Sequence, residues 1–385
     1  MNFTVSDLSP DAGQRMLAES VERFVADHYA YPEWRRRVDA EPGISETLWH
    51  QMAELGWLGL SVPEELGGHG GTFADLLQVL EQLGQGLVTE PVASTVAVAA
   101  DLLAQSTAAA ARDCLPAIVA GDLRVALAHD ERPMPEDPGA LATCAVFESG
   151  RWRLSGQKWM VADAPHAQRL IVSARVADRS RAPGGVALFL VPVDRAGVGV
   201  DALRCFDRRR AAHVDFDAVD LAADERLDQD LDACALIARA EARRLAALAA
   251  ESLGISARLL KTTREYLMTR EQFGAKLASF QVLQHRMVDL FIAVEDLRTL
   301  ARIAAIAAQL PDLRTLEATR AKLIQTLPAV GRQAVQLHGG MGMSDEYHVG
   351  DCMKRLEAIA LSCGRIEQAL DRFAATASPD LSIHP

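Results

Sequence analysis

The chain has 385 residues, with 40 Lys and Arg against 52 Asp and Glu, a formal charge of −12. At roughly 150 residues per domain this allows two or three domains, with a core large enough to stand without disulfides. The acidic balance argues against a general nucleic-acid binder, whose affinity comes from clustered Lys and Arg. No apolar run approaches about 20 residues, so no membrane-spanning helix is expected. The opening MNFTVSDLSPDAGQRM lacks the basic start and apolar core of a signal peptide. Cys114, Cys144, Cys205, Cys234, Cys352 and Cys363 form no C-x-x-C and no zinc-ligand spacing. They read as thiols of a reduced, cytoplasmic protein, each a small buried hydrophobe.

Three regions follow one another. Residues 1–123 read as helices: one from Pro10-Asp11 toward His28, one from Ser45-Glu46 to Gly56, one through Leu76, Leu77, Leu80 and Leu83, and Ala-rich stretches at 92–105 and 107–120. Ser61 to Gly71 is Pro/Gly-rich and reads as a loop. Residues 124–228 carry short β-branched and apolar runs, VALAH, TCAVF, RWRLSG, RLIVSA, VALFLVPV and HVDFD. Turn formers separate them: Glu148-Ser149-Gly150, Ala182-Pro183-Gly184-Gly185 and Ala196-Gly197. The pattern predicts an antiparallel β barrel or sandwich with a hairpin at Ser149-Gly150. Residues 229–385 return to helical spacing, with Leu231–Arg270 (broken only by Gly254), Gln281–Gln309, Leu313–Leu337 and Cys352–Ala375. Four long helices with short loops predict an up-and-down bundle.

The most informative segment is Arg270-Glu271-Gln272-Phe273-Gly274, followed by Phe280-Gln281 and His285 to Asp289. Taken singly these residues are an ordinary helix stop. With three further segments they resemble the acyl-CoA dehydrogenase family. Those segments are Leu55-Gly56-Trp57-Leu58-Gly59-Leu60 running into Pro63 to Gly70, Leu154-Ser155-Gly156-Gln157-Lys158, and Gln336-Leu337-His338-Gly339-Gly340-Met341-Gly342. The match touches all three regions.

The resemblance implies a helical domain, a β domain and a four-helix bundle, with FAD as cofactor. It assigns Arg270 to a pyrophosphate, and Gln272, Phe273 and Gln281 to an FAD site shared across a subunit interface. Gln336, Gly339 and Gly340 would approach the adenosine and phosphate end from another subunit. Arg supplies a fixed fork of donors for phosphate oxygens, and paired glycines let a backbone approach an anion. Implied partners are an acyl-CoA substrate, an electron-transfer flavoprotein or similar acceptor, and a homo- or heterotetramer containing another acyl-CoA dehydrogenase chain.

The family reaction removes the α-proton of an acyl thioester while the β-hydrogen leaves as hydride to flavin N5. It needs a carboxylate base and donors to the thioester carbonyl. Counting from Gly339-Gly340, Leu361-Ser362-Cys363-Gly364-Arg365 stands where many members carry Y-E-G-T. Cys363 takes the place of the Glu, Gly364 that of the next Gly beside the substrate, and Arg365 that of the Thr. Other members carry the base on the first bundle helix, at the place of Arg244, where the family meets CoA. The nearest acid is Glu251, two turns on, among Ala249, Ala250, Leu253 and Gly254. Burial there would raise its pKa and suit a base. The alternative is an ion pair with Arg258 or Arg264, or a solvent-facing carboxylate. Cys363 as thiolate is a further candidate, and its backbone N–H a candidate donor to the thioester.

Two other departures stand out. Ala128-His129-Asp130-Glu131-Arg132-Pro133 replaces the family's T-E-x-x-A-G-S-D, and Met160 stands where a Trp is expected, with Trp159 beside it. Together with Lys354 to Ile359 these are similar to the smaller partner of bacterial heteromeric members. Three functional readings result: an FAD-dependent acyl-CoA dehydrogenase with Cys363 in the base position, a catalytically silent subunit completing the FAD sites of an active homologue, and another flavin oxidase or monooxygenase on the same fold. Arg208-Arg209-Arg210 reads as a solvated turn or as a phosphate contact, and Arg239, Arg243 and Arg244 as CoA contacts or surface. No metal site is expected.

Overall fold

Asp11 starts helix α1 (Ala12–His28) with a reciprocal cap: its carboxylate accepts from the Gln14 N–H at 2.8 Å, and the Gln14 side chain accepts from the Asp11 N–H at 3.2 Å. Helices α2 (Tyr31–Asp39), α3 (Glu46–Glu54, capped by Ser45) and α4 (Phe73–Gln85) follow. The Ala-rich stretch after them is not one α-helix. It is a π-helical turn series over Ala93–Ala100 that runs into α5 (Asp101–Gln105), and then comes α6 (Ala109–Ala120). The computed structural model describes residues 10–132, 141–177, 185–229, 231–309 and 312–376; Pro133 and residues 182–184 of the expected turn lie outside these. The chain divides into two units, each discontinuous in sequence: residues up to 36, 77–88 and from 245 onward, and residues 37–76 and 89–244.

The second unit is built on a seven-stranded sheet of β1 (Val125–Ala128), β2 (Cys144–Glu148), β3 (Arg151–Ala162), β4 (Arg169–Ala177), β5 (Val186–Pro192), β6 (Val198–Arg204) and β7 (Arg210–Leu221). The order is β1-β4-β2-β3-β7-β6, with β5 on β4. The sheet is mixed rather than purely antiparallel, because β4 runs parallel to both β1 and β2. The β2–β3 hairpin turns at Ser149-Gly150, both left-handed (φ 52° and 82°). The continuous apolar runs of β4 and β5 have two destinations. Ile171, Leu188 and Leu190 pack on Leu102, Leu103, Leu115 and Ile118 of the helices, whereas Leu170, Val172, Phe189 and Val191 pack on Trp152, Leu154 and Phe216. Strand β6 lies at the sheet edge and is largely exposed, although Val198, Val200 and Ala202 alternate along it.

The first unit is dominated by α7 (Ala233–Thr269, of which the residues from 245 on belong here), α8 (Gln281–Gln309) and α9 (Leu313–His338). The expected fourth helix is two, α10 (Val349–Ser362) and α11 (Ile366–Ala375), interrupted at Cys363-Gly364-Arg365. Gly364 is left-handed at φ 90° and Arg365 is extended, which ends one helix and caps the next. Gly254, the lone breaker in α7, is needed where α4 crosses: a Cβ there would lie 1.8 Å from the Glu81 carbonyl oxygen, and one on Gly84 would lie 2.3 Å from that of Glu251. Among the described residues no helix is long and apolar enough to cross a membrane.

Candidate functional site

Two helix ends meet at one end of the bundle. Tyr266, in the last turn of α7, lies against His338, the last residue of α9, with ring centroids 4.6 Å apart. That contact places the Arg270 segment and the Gly339-Gly340 loop side by side. Beyond α7 the chain forms a two-stranded ribbon, β8 (Glu271–Gln272) and β9 (Ala275–Lys276), turning through Phe273 and Gly274, both left-handed (φ 57° and 79°). The turn pushes Phe273 outward until it is 90% exposed. Arg270, Gln272 and Gln281 are exposed too, and Arg270 makes no ion pair among the described residues. At the end of α9, Gln336, Gly339 and Gly340 are exposed. A Cβ on either glycine would meet nothing within 4 Å, so the backbone there lies open.

Beneath the loop, His338 is buried. Its Nδ1 faces the Ala334 carbonyl at 2.8 Å and therefore donates, while Nε2 has no hydrogen-bond partner. Burial holds this ring below the ordinary histidine pKa. An unpaired guanidinium, an outward aromatic ring and open glycine backbone over a buried polar atom suit an anionic ligand that also carries flat rings. All seven residues that the sequence assigned to cofactor binding thus lie on exposed segments at or next to this end of the bundle.

The candidate bases are placed differently. Glu251 is 5% exposed, and its two oxygens accept from Arg355 Nε and an Arg355 terminal nitrogen at 2.7 and 2.8 Å. The ion-pair alternative holds with a partner other than the two expected: Arg258 instead donates to the Gln85 carbonyl. The pair arises because α7 and α4 approach closely at Gly84 and Gly254, burying the Glu251 turn. Cys363 is buried at the C-terminus of α10. Its N–H donates to the Ile359 and Ala360 carbonyls, both at 3.2 Å, and its own carbonyl accepts from Arg320 at 3.1 Å. The helix end thus engages the N–H that the sequence offers as a donor to a thioester carbonyl. Gly364 faces open space.

In the other unit, Arg244 clasps Glu241 one turn back on α7, at 2.6 and 2.8 Å, with both side chains about one-third exposed. Arg239 and Arg243 both pair with Asp101, and Arg243 also donates to the Ala97 carbonyl of the π-helical segment at 2.7 Å and covers the Phe73 ring. Burial pushes the Arg243 pKa down to about 10. The Arg208-Arg209-Arg210 run is not a solvated turn: Arg208 pairs with Asp39, and Arg210 with Glu41 and the Val38 and Ala40 carbonyls.

One cluster was missed. Lys158 has a side chain with 0% exposure; its Nζ lies 2.7 Å from Glu131, 3.1 Å from Ser173 Oγ and 3.0 Å from the His129 carbonyl. Glu131 also accepts from the Ala142 and Thr143 N–H groups at 2.7 and 3.1 Å. The signal was present in strand parity: Trp152 and Leu154 face inward, and so does Lys158. At the bulge that follows, Met160 takes φ 50° and its N–H donates to His213 Nδ1; the Trp159 ring stacks on His213 (3.5 Å) and also lies 4.8 Å from the Arg132 guanidinium.

Three sequence models, for the N-terminal, middle and C-terminal domains of acyl-CoA dehydrogenase, match residues 11–122, 127–219 and 238–377. The chain belongs to the acyl-CoA dehydrogenase family. It is 28% identical over 359 residues to acyl-CoA dehydrogenase IpdE2 of Mycobacterium tuberculosis, spanning 92% of this chain and 93% of that one. Among solved structures, a variant of the Tcur3481-Tcur3483 steroid acyl-CoA dehydrogenase superposes with a TM-score of 0.84 at 29% identity, covering 94% and 97% of the two chains. The ChsE4-ChsE5 complex of Mycobacterium tuberculosis superposes at 0.86 with 24% identity, covering 98% and 99%, which shows the fold. This acyl-CoA dehydrogenase homologue thus resembles chains of two-component bacterial assemblies.

Proposed function

We propose that this chain is the FAD-site-completing subunit of a heteromeric acyl-CoA dehydrogenase, contributing binding groups while a homologous chain supplies the base. The observation that carries the reading is the state of the base positions. No carboxylate occupies residues 361–365, and Glu251 is locked in the Arg355 fork. A buried carboxylate held bidentately by a partly buried guanidinium is poorly placed to take a weakly acidic α-proton, because protonation would strand the cation. In support, this chain is 29% identical to a chain of the solved Tcur3481-Tcur3483 steroid acyl-CoA dehydrogenase, whose designation names two components.

The bundle end fits FAD. Arg270 would pair with a pyrophosphate oxygen, Gln272, Phe273 and Gln281 would line one side, and Gln336, Gly339 and Gly340 would meet the adenosine and phosphate end. Bound there, FAD would supply the hydride acceptor for the β-hydrogen of an acyl-CoA. This chain's residues bind and orient, and the α-proton goes to the partner's carboxylate. We also read the chain as three successive domains, 1–123, 124–228 and 229–385, working in the cytoplasm, in keeping with six cysteines outside any disulfide.

A second reading keeps the chemistry in this chain. Glu241 lies one turn from Arg244, the base position of other members; Arg244 clasps it as Arg355 clasps Glu251, but both side chains are about one-third exposed, so water could take over the arginine's bonds when the carboxylate is protonated. The Glu241 charge acts on the His129 ring, where burial is the main influence and lowers the pKa. The deciding experiment is anaerobic addition of acyl-CoA to the pure chain loaded with FAD. Absence of bleaching until a homologous chain is added supports the subunit reading. Bleaching of the lone chain that disappears in Glu241→Gln refutes it in favour of the second.

A further inference from the structure

The loop that carries Gly339 and Gly340 is open at one end and held at the other. At the open end a Cβ on either glycine would meet nothing within 4 Å. At the held end the Asp345 carbonyl accepts from Arg35 Nη1 at 3.0 Å and lies 3.2 Å from the Tyr31 hydroxyl. Both side chains belong to α2, 310 and 314 residues earlier in the chain. Behind them stands Asp351, in the first turn of α10, with a side chain 3% exposed. Its Oδ2 lies 2.9 Å from the Tyr31 hydroxyl and 3.3 Å from Arg35 Nη1, and its Oδ1 accepts from Lys354 Nζ at 3.3 Å. The Tyr31 hydroxyl has a single proton and Asp351 is the nearer acceptor, so Tyr31 donates there and accepts from Arg35 at 3.2 Å. Burial, and then the Asp351 charge, push the Tyr31 pKa up to about 12, which keeps that proton in place. Arg35 is thus the donor that meets the loop. Four residues, Met341 to Ser344, join this anchor to Gly340, and they are tightly wound. The Ser344 N–H donates to the Met341 carbonyl and the Tyr347 N–H to the Ser344 carbonyl, both at 3.2 Å. Gly342 sits so close to α9 that a Cβ would lie 2.6 Å from the Val335 carbonyl oxygen. A shift at Asp345 is therefore passed on to the glycines.

We propose that Tyr31, Arg35 and Asp351 form a latch through which α2 sets the position of the glycine loop, so that three residues remote from the cofactor act as its positioning residues. A buried ion cluster is a poor source of stability, since apolar groups of the same volume serve as well. Its directional donors do what apolar groups cannot: they fix one carbonyl in one place. Arg is suited to this, because its planar fork, once oriented by Asp351 and Tyr31, has little freedom left. A glycine segment left to itself samples many backbone states, and ordering it on binding weakens affinity. A loop already held in place avoids that loss. The latch presupposes the reading of Gln336, Gly339 and Gly340 as cofactor groups and deepens it by naming what holds them.

Two measurements test the latch: hydrogen–deuterium exchange along residues 339–348 of the purified chain, and FAD release from the assembled protein, followed by flavin fluorescence on dilution. Tyr31→Phe removes one hydroxyl and nothing else. Arg35→Met/Asp351→Asn removes both charges together, so that neither is left buried alone and the fold is spared. The double variant should speed exchange in the loop by about tenfold or more, with the amides of α9 unchanged, and should weaken FAD by about fivefold. Tyr31→Phe should move both readouts the same way by less. Unchanged loop exchange in the double variant would overturn the proposal. So would exchange that rises equally along α9, which is general loosening, and so would a faster loop that holds FAD as tightly as before. Gln336→Ala keeps the two failures apart. If it weakens FAD while the double variant does not, the latch alone is wrong. If neither weakens FAD, the cofactor reading of the loop has failed and takes the latch with it.

Discussion

Glu131 in the sheet unit and Glu251 in the bundle unit are both buried carboxylates 2.7 Å from a cation, yet they are held in different ways. Glu131 has Lys158 and two backbone N–H donors, so part of its support comes from the sheet's own turns. Burial pushes its pKa up, but Lys158 and Thr143 more than offset that and hold it below the usual carboxylate range. Glu251 takes two charge-assisted bonds from one guanidinium on a separate helix. A carboxylate buried at a helix crossing is therefore not by itself a sign of catalysis; what matters is how many of its lone pairs are already committed.

The largest effect is expected from Arg355→Met. It removes the fork around Glu251 and leaves a buried charge, a loss of about 3–5 kcal/mol read from urea unfolding. Lys158→Met should cost less, about 2–3 kcal/mol, because the Ala142 and Thr143 N–H groups still serve Glu131. A Lys158 variant that costs more than the Arg355 variant would break the contrast. Glu251→Gln combined with Arg355→Met should recover at least half of the single loss, since no charge is left buried.

Chain order, the bundle helices, the Ser149-Gly150 hairpin and the alternation of β3 could all be read in the sequence, because each rests on local periodicity or turn chemistry. The interruption at Cys363 was legible only as a motif departure; that Gly364 turns left-handed there depends on packing. The π-helical segment at Ala93–Ala100 looked like any Ala-rich helix, since its wider turn is stabilised by contacts far along the chain, such as Arg243 on the Ala97 carbonyl. The partner of Glu251 lies 104 residues away, beyond any helical spacing. The cofactor residues were legible because they sit in short contiguous motifs at helix ends.

A smaller effect separates the units by pH. His348, partly buried in the bundle and bonded to Thr262 Oγ1 at 3.1 Å, is pushed down to about 3, mainly by desolvation and then by Arg258 and His338. The folded state keeps it neutral while the unfolded chain takes up a proton near pH 6.5. Its contribution is therefore complete above pH 6.5 and lost as pH falls toward 3. In His348→Gln this acid limb of the unfolding midpoint should flatten by about 1–2 kcal/mol. Glu131 begins to contribute to acid loss only below its unfolded pKa of about 4.3, so an unchanged limb between pH 6.5 and 4.5 in the variant would remove His348 from the account.

The smallest effect on the chain itself should come from Phe273→Ala. A side chain 90% exposed at a ribbon tip contributes little to folding, so the unfolding midpoint should move by less than about 0.5 kcal/mol. Its left-handed φ of 57° makes Phe273→Gly the companion variant, which relieves that backbone while removing the same ring. If the ring serves the cofactor, both variants should hold FAD more weakly in the assembled protein, by about fivefold or more, measured by flavin fluorescence on dilution. If the loss follows the backbone, only one of them will. Equal weakening by both, with folding unchanged, would place the ring itself against the ligand and complete the contrast with Glu251: one residue unusual by exposure and used for binding, the other unusual by burial and used for structure.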